Sequence, residues 1–217
     1  GIPAEPLFRS CILCGGIMET VLVEKENINK VIDLLNHDEV VAFPTETVFG
    51  LGVKFSHLEA LEKIYEIKHR SHSKAVSLMI YDPKDIEKYA YVNENAQKLI
   101  DHFMPGMITL VLKKKSILSD DFTAGYDTIG IRIPDDPFVL KLLKEVGPML
   151  VTSANISGQE TLLNDQEVYK QFKGKIKMIV KGECKSTLAS TVIKVDEDVT
   201  ILRQGCIQEE EIREVLK

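Results

Sequence analysis

From Met18 onward the chain alternates, with little slack, between apolar residues spaced for one face of a helix and short apolar runs that read as strands. Val21–Glu24 and Val40–Phe43 are strand-like, and between them Asn27 can cap a helix facing inward through Ile28, Val31, Ile32 and Leu35. Ser56 and Glu59 have capping-box spacing ahead of a helix that runs out near Lys68. Ala75–Ile80, Ile108–Lys113 and Ile129–Pro134 follow as strands, with a helix over Asn93–Phe103 stopped by Pro105-Gly106. Asp136-Pro137 opens a helix that ends at Gly147. Met149–Thr152, Lys177–Val180, Thr191–Val195 and Thr200–Arg203 read as further strands, with helices starting at Asn164 and Gln208. About eight strands and six helices make an α/β domain over 18–217. Several strands follow one another too closely for helical crossovers, so a twisted mixed sheet flanked by helices is expected.

Residues 1–17 carry no such period. They are expected to be an appended leader, with Met18 the natural start. No apolar run approaches the ~20 residues of a membrane-spanning helix. With 27 Lys and Arg against 33 Asp and Glu, the net charge of -6 argues against binding nucleic acid by charge alone. Cys11 and Cys14 form a CxxC, but Cys184 and Cys206 supply no second close pair, which is a poor match to a structural zinc set. Four reduced thiols in a cytoplasmic protein is the expectation.

The chemistry-bearing residues gather at strand ends and in the turns after them, where open α/β sheets build ligand crevices. PTETVFGLG (44–52) sets Thr45, Glu46 and Thr47 beside glycines that permit close approach, although a polar turn satisfying its own backbone has the same composition. KHRSHSK (68–74) puts Lys68, Arg70 and Lys74 at a helix C-terminus. These cations either cap the helix dipole in solvent or clamp a polyphosphate. Thr128 and Arg132 share one strand face, and an arginine within apolar alternation needs an anion, from a ligand or from an internal acid. Ser153 and Asn155 lie in SANISG (153–158), Ser190 and Thr191 in STLAST, and Arg203 in LRQG; each is also compatible with an ordinary turn. Neither a P-loop, a GxGxxG nor a GxSxG occurs.

The joint order of these motifs is more specific than any one. PTETVFGLG, K-x-R-x-x-x-K, PG-x-x-T-L-V-L, G-x-R-x-P, SAN-x-SG, ST and R-x-G succeed one another across residues 20–206. In that order the sequence closely resembles the YrdC-like family, the threonylcarbamoyl-AMP synthases, in its short single-domain form. Met107 and Ser71 depart from prolines usual in the family. The resemblance implies an open α/β fold around a concave cationic cavity. It also implies a nucleotidyltransferase reaction joining L-threonine, bicarbonate and ATP into threonylcarbamoyl-AMP and pyrophosphate, with Mg²⁺ arriving on ATP. Other proteins then transfer the threonylcarbamoyl group to tRNA, which this chain itself would touch weakly or indirectly. By matching motif, the resemblance makes Lys68 and Arg70 catalytic and, with Lys74, the phosphate clamp. Thr128, Ser153, Asn155 and Arg203 become nucleotide contacts, and Thr47, Arg132 and Ser190 the threonine pocket, with Arg132 on the carboxylate and Thr45 and Thr109 nearby. An RNA-binding module and a carbamoyl-transfer domain of hydrogenase maturation are the competing readings. The charge balance speaks against the first and the stand-alone chain against the second.

Overall fold

The computed structural model describes residues 18–217. The leader expected over residues 1–17, with Cys11 and Cys14, lies outside the described residues. The elements in order are β1 (Val21–Val23), α1 (Ile28–Asn36), β2 (Val41–Phe43), β3 (Gly50–Lys54), α2 (Leu58–Lys68) and β4 (Ser77–Met79). Then come α3 (Ile86–Tyr89), α4 (Glu94–Phe103), β5 (Ile108–Lys113), β6 (Thr128–Arg132), α5 (Pro137–Val146) and β7 (Met149–Ser153). The last are α6 (Asp165–Phe172), β8 (Met178–Val180), β9 (Thr191–Val195), β10 (Val199–Arg203) and α7 (Glu209–Leu216).

Ten strands form one mixed sheet in the order β1-β8-β2-β3-β7-β4-β6-β5-β9-β10. Parallel pairs such as β4 with β6 and β5 with β9 alternate with antiparallel pairs such as β3 with β7 and β5 with β6. Helix starts follow local chemistry. The Asp136 carboxylate accepts from Val139 N at 3.0 Å, Asn93 from Ala96 N at 2.9 Å and Asn164 from Glu167 N at 2.9 Å.

Two expectations need correction. Ser56 does not cap α2: His57 is the N-cap residue and contributes no side-chain bond, because the Ser56 hydroxyl donates to the Asp38 carboxylate instead. The second half of PTETVFGLG is a strand rather than part of a polar turn. Gly50 and Gly52 of β3 lie against the Phe43 ring, and a Cβ on Gly52 would meet that ring and Met149 at 2.9 Å. Glycine, poor at forming strands by itself, is required here for close approach.

The two faces of the sheet bury different clusters. Leu78, Leu110, Ile129, Ile131, Leu150 and Ile193 point into the larger core beneath α2, α4, α6 and α7. On the other face α1 and α5 cover Val41, Phe43, Met149 and Met178 with Val31, Leu35, Val139 and Leu142. That cover stops partway along the sheet. Over β7, β4, β6, β5 and β9, the alternate positions Val151, Ser77, Gly130, Thr109 and Val192 face a cavity instead of a helix.

Candidate active site

The cavity has a volume of about 310 Å³, and the sheet itself is its floor. Register explains the lining: Val111 pairs with Gly130, and Thr109 with Val192, so residues two apart on neighbouring strands meet on one surface. Gly130 keeps the floor low, since a Cβ there would stand 3.3 Å from both Ser77 Oγ and Thr109 Cγ2. The polar wall consists of three arginines (Arg70, Arg132 and Arg203) and seven serine or threonine hydroxyls, with no aspartate or glutamate. A cavity so lined attracts anions and offers them many hydrogen-bond donors.

Arg132 closes one end. It is 6% exposed, yet its guanidinium is held on two sides. Nη1 donates to Thr47 Oγ1 at 3.0 Å, and Nη2 donates to the Glu46 carboxylate. The other Glu46 oxygen accepts from the backbone N–H of Asp135. Arg132 Nε, also buried, has no acceptor. Burial pushes the Arg132 pKa down against the opposing pull of Glu46, and burial likewise pushes the Glu46 carboxyl up. The anion expected for this arginine is thus supplied internally by Glu46, with one N–H left over.

Arg70 closes another side. His69 leaves α2 in a left-handed conformation (φ 51°), and Arg70 N bonds back to Tyr65 O at 2.9 Å. Its side chain donates to Ala75 O at 2.6 Å and Lys74 O at 3.2 Å. Both acceptors are neutral carbonyls, so the positive charge stays available to the cavity.

The third arginine grips the segment that carries Ser190. Arg203 Nη2 and Nε donate to Ser190 O at 2.9 and 3.2 Å, and the Ser190 and Thr109 hydroxyls are 2.7 Å apart. Gly205 lies directly on the backbone of Ala189 and Ser190, where a Cβ would overlap their carbonyls. This close approach is the physical reason for the R-x-G spacing.

Of the residues singled out in the sequence, Arg70, Thr128, Arg132, Ser153, Ser190 and Arg203 come together in the cavity wall, with Thr45 and Thr109. Lys68, Lys74, Thr47 and Asn155 stand outside it. Lys74 is exposed, and Thr47 is wholly buried behind Arg132. Asn155 is buried, with Nδ2 donating to Ile156 O and Gln159 O while Oδ1 has no partner. Lys68, 1% exposed, braces the end of β7 from behind the wall: Nζ donates to Ser153 O at 2.5 Å and Thr152 Oγ1 at 3.1 Å. Burial, then the neighbouring Arg70 charge, lowers its pKa from 10.5 to about 7. Ser77 and Thr152 were not singled out in the sequence but line the cavity. Each is a hydroxyl at one end of an otherwise apolar strand, Ser77 opening β4 and Thr152 near the end of β7.

Among the described residues no group of three or more His, Cys, Asp or Glu could hold a metal ion, and no helix is long and apolar enough to cross a membrane. Cys184 and Cys206 are free thiols.

Comparison with known proteins bears on this geometry. The Sua5/YciO/YrdC family model, described as telomere recombination, matches residues 33–205. A Methanocaldococcus jannaschii protein, provisionally named threonylcarbamoyl-AMP synthase, is 37% identical over 197 residues, which cover 88% of this chain and 93% of that protein. The Bacillus subtilis threonylcarbamoyl-AMP synthase is 39% identical over 188 residues, covering 84% of this chain and 54% of that protein. The crystal structure of P. abyssi Sua5 complexed with L-threonine has a TM-score of 0.85 at 33% identity, covering 93% of this chain and 61% of that one. The chain therefore spans nearly all of the first relative and little more than half of the other two.

Proposed function

The chain belongs to the Sua5/YciO/YrdC family, and from that premise we propose that it is a threonylcarbamoyl-AMP synthase, a transferase of the nucleotidyl class acting for tRNA modification. The observation that carries the reading is a cavity wall of hydroxyls in which Arg70 and Arg203 bond only neutral groups and Arg132, paired with Glu46, keeps one N–H without an acceptor, because the substrates ATP, bicarbonate and the threonine carboxylate are all anionic.

The reaction balances without a covalent enzyme intermediate. The threonine amine, once deprotonated, adds to bicarbonate and water leaves, giving a carbamate. A carbamate oxygen attacks the α-phosphorus, and pyrophosphate departs. Such chemistry depends on positioning and on neutralising charge rather than on a nucleophilic side chain. Arg132 receives the threonine carboxylate, with Thr47 behind it, while Ser190 and Thr109 offer hydroxyls nearby. Arg70 and Arg203 take phosphate oxygens, and Thr128 and Ser153 contact the nucleotide. Exposed Lys74 approaches the polyphosphate from outside the wall, and Asn155 shapes the turn after β7. Lys68 acts on the site by fixing Thr152 and Ser153. The wall offers Mg²⁺ no carboxylate ligands, so the cation would enter coordinated to the triphosphate, and no step is assigned to it. Downstream transfer proteins would receive the product.

Pyrophosphate release from ATP tests the proposal. Release that requires both L-threonine and bicarbonate supports it, and release indifferent to threonine overturns it.

A further inference from the structure

Glu46 has no part in the cavity wall, yet it is the acid that meets Arg132. Its two oxygens have different partners. One accepts from Arg132 Nη2, and the other from the Asp135 N–H, just ahead of the Asp136 cap of α5. Thr47, the next residue, takes Nη1. Two of the three guanidinium nitrogens are therefore oriented by consecutive residues of one turn, while the third, Nε, is buried without an acceptor. A buried donor left open in this way calls for a ligand oxygen.

The pair also sets the local charge. Arg132 and Glu46 sum to zero, so a simple monoanion entering here gains hydrogen bonds but little net attraction and must approach the Glu46 carboxylate as well. An α-amino acid brings its own ammonium beside its carboxylate, and the two charges of a zwitterion match the two charges of the pair. We infer that Glu46 is the positioning residue of the amino-acid subsite: it fixes the Arg132 fork and makes the subsite prefer a zwitterionic α-amino acid to a hydroxy acid lacking the amine. The inference rests on the synthase reading, in which Arg132 receives the threonine carboxylate.

Glu46→Gln tests it in the full chain. An amide has one acceptor oxygen where two donors converge, so either Arg132 or Asp135 N–H loses its partner and the compensating charge is lost. The readouts are threonine KM and kcat from pyrophosphate release, ATP KM, and inhibition by 3-hydroxybutanoate, which is threonine without its amine. The expected result is a threonine KM raised about 10–100-fold, the scale of a charge-assisted hydrogen bond, with ATP KM and kcat changed no more than about threefold. The ratio of the 3-hydroxybutanoate inhibition constant to the threonine KM is expected to fall about tenfold, because the charge balance has gone. Glu46→Asp keeps the charge with a shorter reach; it is expected to raise KM while preserving that ratio, and it carries the test if the glutamine variant fails to fold by circular dichroism. An unchanged threonine KM in either variant overturns the inference, as does a folded glutamine variant whose ratio stays at the wild-type value. Each of those results leaves the synthase reading standing when wild type shows threonine-dependent release. Wild type without such release overturns both.

Discussion

Lys68→Met converts a buried cation into an apolar side chain of similar length, and its effect on stability should depend on pH in a calculable way. Burial and Arg70 take the Lys68 pKa from 10.5 to about 7 in the folded protein, and no carboxylate pairs with it among the described residues. Below pH 7 both folded and unfolded chains carry the proton, so the full cost of burying the charge is present. As pH rises from 7 towards 10.5 the folded protein releases its proton first. The unfolded state then binds more protons, and stability increases with pH. For one group with these two values, the gain between pH 7.5 and 9.5 is about 2.5 kcal/mol, at about 1.4 kcal/mol per pKa unit. Methionine removes that gain. It also leaves Ser153 O and Thr152 Oγ1 without a donor, which costs about 1–3 kcal/mol at every pH. Urea denaturation followed by circular dichroism at pH 7.5, 8.5 and 9.5 measures the difference between wild type and variant, in which other titrating groups cancel. That difference should grow in favour of wild type by about 2.5 kcal/mol across the series. A difference that stays level, or shrinks, refutes the idea that Lys68 is held near neutrality by burial.

Arg70→Ala should lower kcat/KM for pyrophosphate formation about 10–100-fold through loss of a charge-assisted phosphate contact, and unchanged kinetics in a folded variant would remove Arg70 from the site. Gly205→Ala places a Cβ against the Ala189 and Ser190 backbone, so thermal denaturation should show a loss of about 1–3 kcal/mol. Activity should fall with it, because Ser190 is displaced, and a fully stable, fully active alanine variant would show that this contact is dispensable.

Much of the fold was legible because its signals are local. Asp136, Asn93 and Asn164 each cap the helix expected of them, and the apolar alternation that starts at Ile129 falls in the strand β6, Thr128–Arg132. What the sequence concealed depends on partners far away along the chain. The Ser56 hydroxyl is drawn to Asp38, 18 residues earlier, and β3 looks like a turn until Phe43 and Met149 supply the reason for its glycines. At the site, an arginine in Arg132's position required an anion, but nothing local could select Glu46, 86 residues away, from 33 acids. Local sequence left Lys68 open between a solvated helix cap and a phosphate clamp, because the turn that buries it, tied by Ser157 N to Lys68 O at 3.1 Å, lies almost ninety positions on.

A floor woven from five strands, whose lining residues run from Ser77 to Val192, leaves no fragment of this chain with a usable cavity. The floor positions Thr109, Val111 and Gly130 alternate along β5 and β6 with Leu110, Ile129 and Ile131 of the main core, so the shape of the cavity is tied to the integrity of the sheet. Occupancy is then a report on folding. A substrate that recognises only the assembled sheet raises the free energy of global unfolding in step with its own concentration, and it shields strand amides far from its own contacts. Molecules that fill such a cavity therefore act as stabilisers of the whole sheet.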